Sequence, residues 1–115
     1  MIIQITSRHI EVTDAIREYV QGRLMPLLSE YPAVEHAHVI LGVEKFRHMA
    51  EVVVQGKQYL RAEARAETDD MYKSVDAVAE KIARQLRRAR DKVVDHKIPT
   101  HRERLVDREK PPAAG

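Results

Sequence analysis

Cysteine and tryptophan are absent from this 115-residue chain, phenylalanine occurs once, and glycine only four times. Each scarcity removes a class of explanation. Without cysteine there are no disulfides and no thiolate metal sites, and a reducing compartment is the natural setting. Four scattered glycines leave no Gly-rich loop to cradle a phosphate, and no serine stands in a nucleophile elbow. With so few aromatics, the core of what is by length a single domain has to be built from Val, Ile, Leu and Ala. The opening Met1-Ile2-Ile3-Gln4-Ile5-Thr6 is too short and too quickly polar for a signal peptide, and no apolar run is long enough to span a bilayer. The expectation is a soluble, cytoplasmic protein with no membrane partner.

Charge is what the chain has in quantity. Twenty Lys and Arg against eighteen Asp and Glu give a net charge of only +2, but residues 81–110 hold eleven basic and five acidic side chains, leaving nine and thirteen elsewhere. Within this basic part, Lys81, Arg84, Arg88 and Lys92 follow one another at steps of three, four and four, which on an α-helix stacks them into one stripe. Met71, Val75, Val78, Ile82, Leu86, Ala89 and Val93 keep helical spacing on another side of the same segment. Like charges four apart cost a few tenths of a kcal/mol per pair, and only Asp91 interrupts the run from Lys81 to Lys92. A polyanion outside the helix is the simplest reason for such a stripe.

The rest of the chain supplies a frame. Ile3 and Ile5 alternate with polar neighbours and predict a short strand ending near Ser7-Arg8-His9. Thr13 is placed to cap a helix running to about Glu30, in which Ile16, Val20, Leu24, Leu27 and Tyr31 mark the apolar side, with a kink or a broken last turn at Pro26. Three alternating segments follow. Ala37, Val39, Leu41 and Val43 share one face; Ala50, Val52 and Val54 repeat the pattern after a turn around Lys45-Phe46-Arg47; and beyond a tight turn at Gly56-Lys57, Leu60, Ala62, Ala64 and Ala66 face inward. Thr68, as a cap, with Asp69 and Asp70 opens a second helix running to about His96. The predicted fold is α+β, in the order β-α-β-β-β-α: a four-stranded, mostly antiparallel sheet with two helices packed on one face. Residues 1–96 form the domain, and residues 97–115 a basic, flexible tail.

No catalytic constellation converges, so no enzyme, cofactor or small-molecule substrate is expected. His36 and His38 share a strand face, but two ligands do not complete a metal site. The carboxylate pair Asp69 and Asp70 is accounted for by the helix dipole.

Four ordered motifs make the chain recognisable: Ile3-Gln4-Ile5-Thr6; His9-Ile10-Glu11-Val12-Thr13; Val43-Glu44-Lys45-Phe46-Arg47-His48-Met49-Ala50-Glu51-Val52; and Asp70-Met71-Tyr72-Lys73-Ser74-Val75-Asp76. Over residues 2–96 it resembles the bacterial hibernation promoting factor and ribosome-associated inhibitor A family. The resemblance implies a fold similar to a double-stranded-RNA-binding domain with an added first strand. It implies binding to the small ribosomal subunit and its rRNA at the decoding region, across the mRNA path and the tRNA A and P positions, so that translation stops in stationary phase or stress. Carried over by position, the rRNA-binding surface falls on Lys45, Arg47 and His48 of the hairpin and on Lys81, Arg84, Arg87, Arg88 and Lys92 of the second helix, while Tyr72 and Asp76 serve packing and the helix start. The ribosome modulation factor is an implied partner of short family members. Charge alone leaves one alternative, a protein-binding adaptor that docks an acidic partner through its basic helix or its exposed sheet face.

Overall fold

The computed structural model describes residues 1–94, with side chains through residue 91. The Lys92 and Val93 side chains, the expected helix end near His96 and the 97–115 tail lie outside the described residues. The elements are β1 (Ile2–Arg8), α1 (Asp14–Ser29), β2 (Val34–Glu44), β3 (Arg47–Gly56), β4 (Arg61–Thr68) and α2 (Met71–Val94). The strands lie side by side in sequence order. β1 runs parallel to β2, across the α1 connection, and the other two pairings are antiparallel. The α+β expectation, two helices on a mostly antiparallel sheet, is met.

Alternation explains which face the helices cover. Ala37, Val39 and Leu41 of β2, Ala50, Val52 and Val54 of β3, and Ala62, Ala64 and Ala66 of β4 are all buried, and Ile3 and Ile5 of β1 pack against them. Val20, Leu24 and Leu28 from α1 and Val75, Val78, Ala79, Ile82 and Leu86 from α2 close the core from one side. Each large aliphatic side chain so buried contributes roughly 1.5–3 kcal/mol. On β4 the buried inward residues, Ala62, Ala64 and Ala66, are all alanine, so α2 can settle close to that strand.

Thr13 caps α1, its hydroxyl accepting from the Ile16 N–H at 3.2 Å. The last turn of α1 is not broken at Pro26, because the helix continues to Ser29. Pro26 and Gly22, whose carbonyl loses its partner, are both exposed, so water can serve that carbonyl. The Ser29 hydroxyl donates to the Met25 carbonyl at 2.7 Å within the same turn. The start of α2 also differs from expectation. Thr68 ends β4, and the cap is Asp70, whose carboxylate accepts from the Tyr72 N–H at 2.8 Å. The Thr68 hydroxyl instead accepts from the Asp70 N–H at 3.0 Å and lies 2.8 Å from the Ser74 hydroxyl.

The turn between β3 and β4 is centred two residues beyond the expected Gly56-Lys57. Gln58 and Tyr59 occupy its corners at φ 56° and 65°, and the Leu60 N–H bonds the Lys57 carbonyl at 3.1 Å. Gly56 has another task. The 31–34 connection passes directly over it, its neighbour's N–H donates to the Ala33 carbonyl at 2.8 Å, and a Cβ at position 56 would overlap that carbonyl oxygen. Gly22, in contrast, has open space around it. Gly56→Ala is therefore expected to lower stability by about 1–3 kcal/mol, whereas Gly22→Ala raises it by about 0.4–1 kcal/mol. Urea unfolding with unchanged slope checks both signs, and equal midpoints for the two variants would contradict the assignment.

Candidate nucleic-acid interface

α2 lies over β3 and β4, and its flank meets the free edge of β4. An edge strand presents unpaired backbone groups, and here α2 supplies the partners. The Gln85 side-chain amide bonds Glu63 twice, accepting from its N–H at 3.0 Å and donating to its carbonyl at 2.7 Å. One turn earlier, Lys81 Nζ donates to the Arg65 carbonyl at 2.8 Å. These contacts fix the rotation of the helix about its axis and so decide where its cations point.

At 100° per residue, Lys81, Arg84 and Arg88 fall within an arc of about 60° on that flank. All three are exposed. Arg87 is exposed too, but lies about 120° round the helix from Lys81, beside the row of Glu80 and Asp91. Among the described residues, none of Lys81, Arg84, Arg87 and Arg88 is held by a carboxylate. Lys92 continues the stripe in helical position only.

The hairpin residues that the resemblance groups together are split by the strand pleat. Lys45 stands exposed at the tip, in a left-handed conformation with φ 58°. Arg47 faces the open side of the sheet, where its guanidinium donates to Glu67 at 2.8 Å. The Glu67 carboxylate is held below its ordinary pKa chiefly by this bond and by the Arg47 charge. His48 is half-buried, on the opposite pleat from Arg47; its carbonyl accepts from the fully buried Ser74 hydroxyl at 2.7 Å, and its Nδ1 is buried with no partner. The candidate residues thus form two patches. Lys81 lies about 15 Å along α2 from its start at the hairpin end of the sheet, and Arg88 about 26 Å.

Arg65 sits between them. It is exposed on the open face of β4, 3.6 Å from Glu67, and its carbonyl is the one that Lys81 bonds. The period-two pattern of β4 predicts that Arg65 faces outward, but neither Arg65 nor Gln85 is among the expected site residues. Other side chains on the open face pair with one another: His36 with Gln55 at 2.7 Å, His38 with Thr6 at 2.8 Å, and Arg61 with Glu63 at 3.3 Å.

A second set of contacts holds α2 from its other flank. The Asp76 carboxylate accepts from the Tyr19 hydroxyl at 2.6 Å and from Arg23 Nε at 2.8 Å, and the Tyr19 ring meets Tyr72 edge-on at 4.9 Å. Asp76 is thus an interhelical acceptor and not a helix-start residue. Arg90 turns to the same flank, its guanidinium 5.1 Å above the Tyr31 ring.

Comparison with known proteins fits this frame. The family model described as Sigma 54 modulation protein / S30EA ribosomal protein matches residues 3–94. The chain belongs to this family. The family is ribosome-associated and non-enzymatic. The chain is 35% identical over 98 residues to the ribosome hibernation promoting factor of Salmonella typhimurium, spanning 84% of this chain and 100% of that one. It is 35% identical over 94 residues to the factor of the same name from Pseudomonas putida, spanning 80% and 89%. A ribosomal subunit interface protein from Coxiella burnetii superposes with a TM-score of 0.74 at 27% identity, covering 79% of this chain and 99% of that one. The N-terminal domain of Protein Y from Thermus thermophilus superposes with a TM-score of 0.69 at 30% identity, covering 76% and 98%.

The interhelical acceptor leaves a pH signature. The Tyr19 hydroxyl and then Arg23 hold Asp76 below its ordinary value of 3.8. A carboxylate depressed in the folded state contributes stability that is complete above that value and lost as pH falls below it. For this half-exposed group, Asp76→Ala should cost about 1 kcal/mol near neutrality. The gap in urea midpoint between parent and variant should close as pH drops below 3.8. A gap independent of pH would contradict the assignment.

Proposed function

We propose that the protein is a ribosome hibernation factor acting on cytoplasmic ribosomes. It binds the small subunit at the decoding region by its shape and its phosphate contacts, obstructs the mRNA path and the tRNA A and P positions, and inhibits translation in stationary phase or stress. The observation that carries this reading is the ridge of Lys81, Arg84 and Arg88, locked against the β4 edge and without carboxylate partners among the described residues.

Phosphate contacts dominate affinity without reading sequence, and folded RNA is recognised largely by backbone and shape. Arg65 extends the ridge onto the sheet, and Lys45 with Arg47 adds a second contact at the hairpin end. His48 is a positioning residue at most, since its ring is half-buried and its backbone is tied to Ser74. The adaptor alternative gains nothing from the open sheet face, whose charges are largely paired among themselves.

Exchanging Arg84 and Arg88 for Glu touches no core residue. The slope of log affinity against log salt for small subunits should become shallower by about 1.4–1.8, the share of two phosphate contacts. Cosedimentation at several salt concentrations measures it. Binding by the double variant with the parent's affinity and slope would remove the ridge from the interface.

A further inference from the structure

Phe46, the only phenylalanine, stands at the tip of the β2–β3 hairpin with 73% of its surface exposed. Single exposed apolar side chains are common and by themselves mean little. Two features of this one are not explained by packing. The two-residue turn that presents it requires Lys45 at φ 58°, a conformation in which glycine, asparagine or aspartate is the ordinary occupant. A groove of about 260 Å³ also opens beside the ring, lined by Phe46, Arg47, Glu67, Thr68 and Asp69. That is smaller than the roughly 300–1,000 Å³ of drug-sized ligand pockets. Its scale suits one planar ring.

The chemistry of the walls selects the occupant. Glu67, bonded by Arg47 and 3.6 Å from Arg65, and Asp69, 3.6 Å from Lys73, are charge-balanced, and their exposed oxygens can still accept from the N–H donors on the edge of a nucleobase. Arg47, tied to Glu67 at 2.8 Å, presents a guanidinium already fixed in place. Lys45 lies outside the groove, where a phosphate of the same nucleotide can meet it. An all-carbon ring offers a stacking face without a polar group to satisfy, and unpaired bases are held on aromatic and guanidinium planes of this kind. An apolar side chain from a ribosomal protein would match the ring, yet leave both carboxylates facing it.

We propose that the groove between the hairpin tip and the β4–α2 corner receives one unstacked base of the ribosomal RNA, stacked on Phe46. This rests on the RNA-binding reading above and adds to it a contact that depends on stacking rather than on charge.

The test uses the full chain and purified small ribosomal subunits. Phe46→Leu keeps an apolar side chain and, at an exposed tip, should leave the urea midpoint unchanged. Its affinity should fall about 5- to 150-fold, the range for loss of one stacked base, with the salt slope of the parent. Phe46→Trp should bind as the parent does. Because the chain holds no other tryptophan, 5-hydroxytryptophan incorporated at position 46 can be excited apart from ribosomal tryptophan, and its emission should be quenched on binding. Parental affinity for Phe46→Leu would overturn the base site. So would unquenched emission at saturation, which if Phe46→Leu is weakened indicates a protein contact. Should Arg84 and Arg88 reversal weaken binding while Phe46→Leu does not, the base site alone fails; if neither weakens it, the RNA-binding reading fails as well.

Discussion

The free edge of β4 has to be closed, and the way it is closed determines the presentation of the cations. Three consecutive inward alanines make a shallow wall, against which α2 could roll or slide. The Gln85 amide, bonded to both backbone groups of Glu63, and the Lys81 ammonium, bonded to the Arg65 carbonyl, stop that motion. The same contacts cover backbone groups that would otherwise invite another strand. With the rotation of α2 set, Arg84 and Arg88 stand on the β4 flank facing outward.

In the proposed function, rigidity matters because the ligand would be a surface of phosphates. Cations already aligned before binding lose little freedom on contact, and that ordering cost otherwise erodes affinity. The Asp76 clamp to Tyr19 and Arg23 holds the opposite flank of α2, so the helix is gripped on both sides of its buried stripe. Mutual repulsion along the ridge, a few tenths of a kcal/mol per pair, is small beside the burial of Val75, Val78, Ile82 and Leu86. A cationic face that is mildly unfavourable alone is thereby kept extended, as the proposed anionic partner requires.

Much of this was legible in the residues. Period-two alternation identified the inward faces of β2, β3 and β4, and helical spacing separated the apolar side of α2 from its basic side. Both signals work within one element. Neither says which edge an element will lie along, so the bonds of Gln85 and Lys81 to β4 were invisible, as was the role of Arg65 between the two basic patches. Arg47 and His48 are neighbours in sequence, and the pleat sends them to opposite faces. Asp70 displaced Thr68 as the cap because the β4 ladder holds Thr68, and Pro26 stayed helical because the affected carbonyl lies at an exposed Gly22.

The central claim is that a rigid ridge acts by occupying a site. The most direct measurement is competition on small subunits carrying mRNA and labelled tRNA in the P position, titrated with the protein. The account predicts that tRNA is displaced completely, with a midpoint that rises in proportion to tRNA concentration. A small subunit that retains its tRNA while saturated with the protein would contradict it.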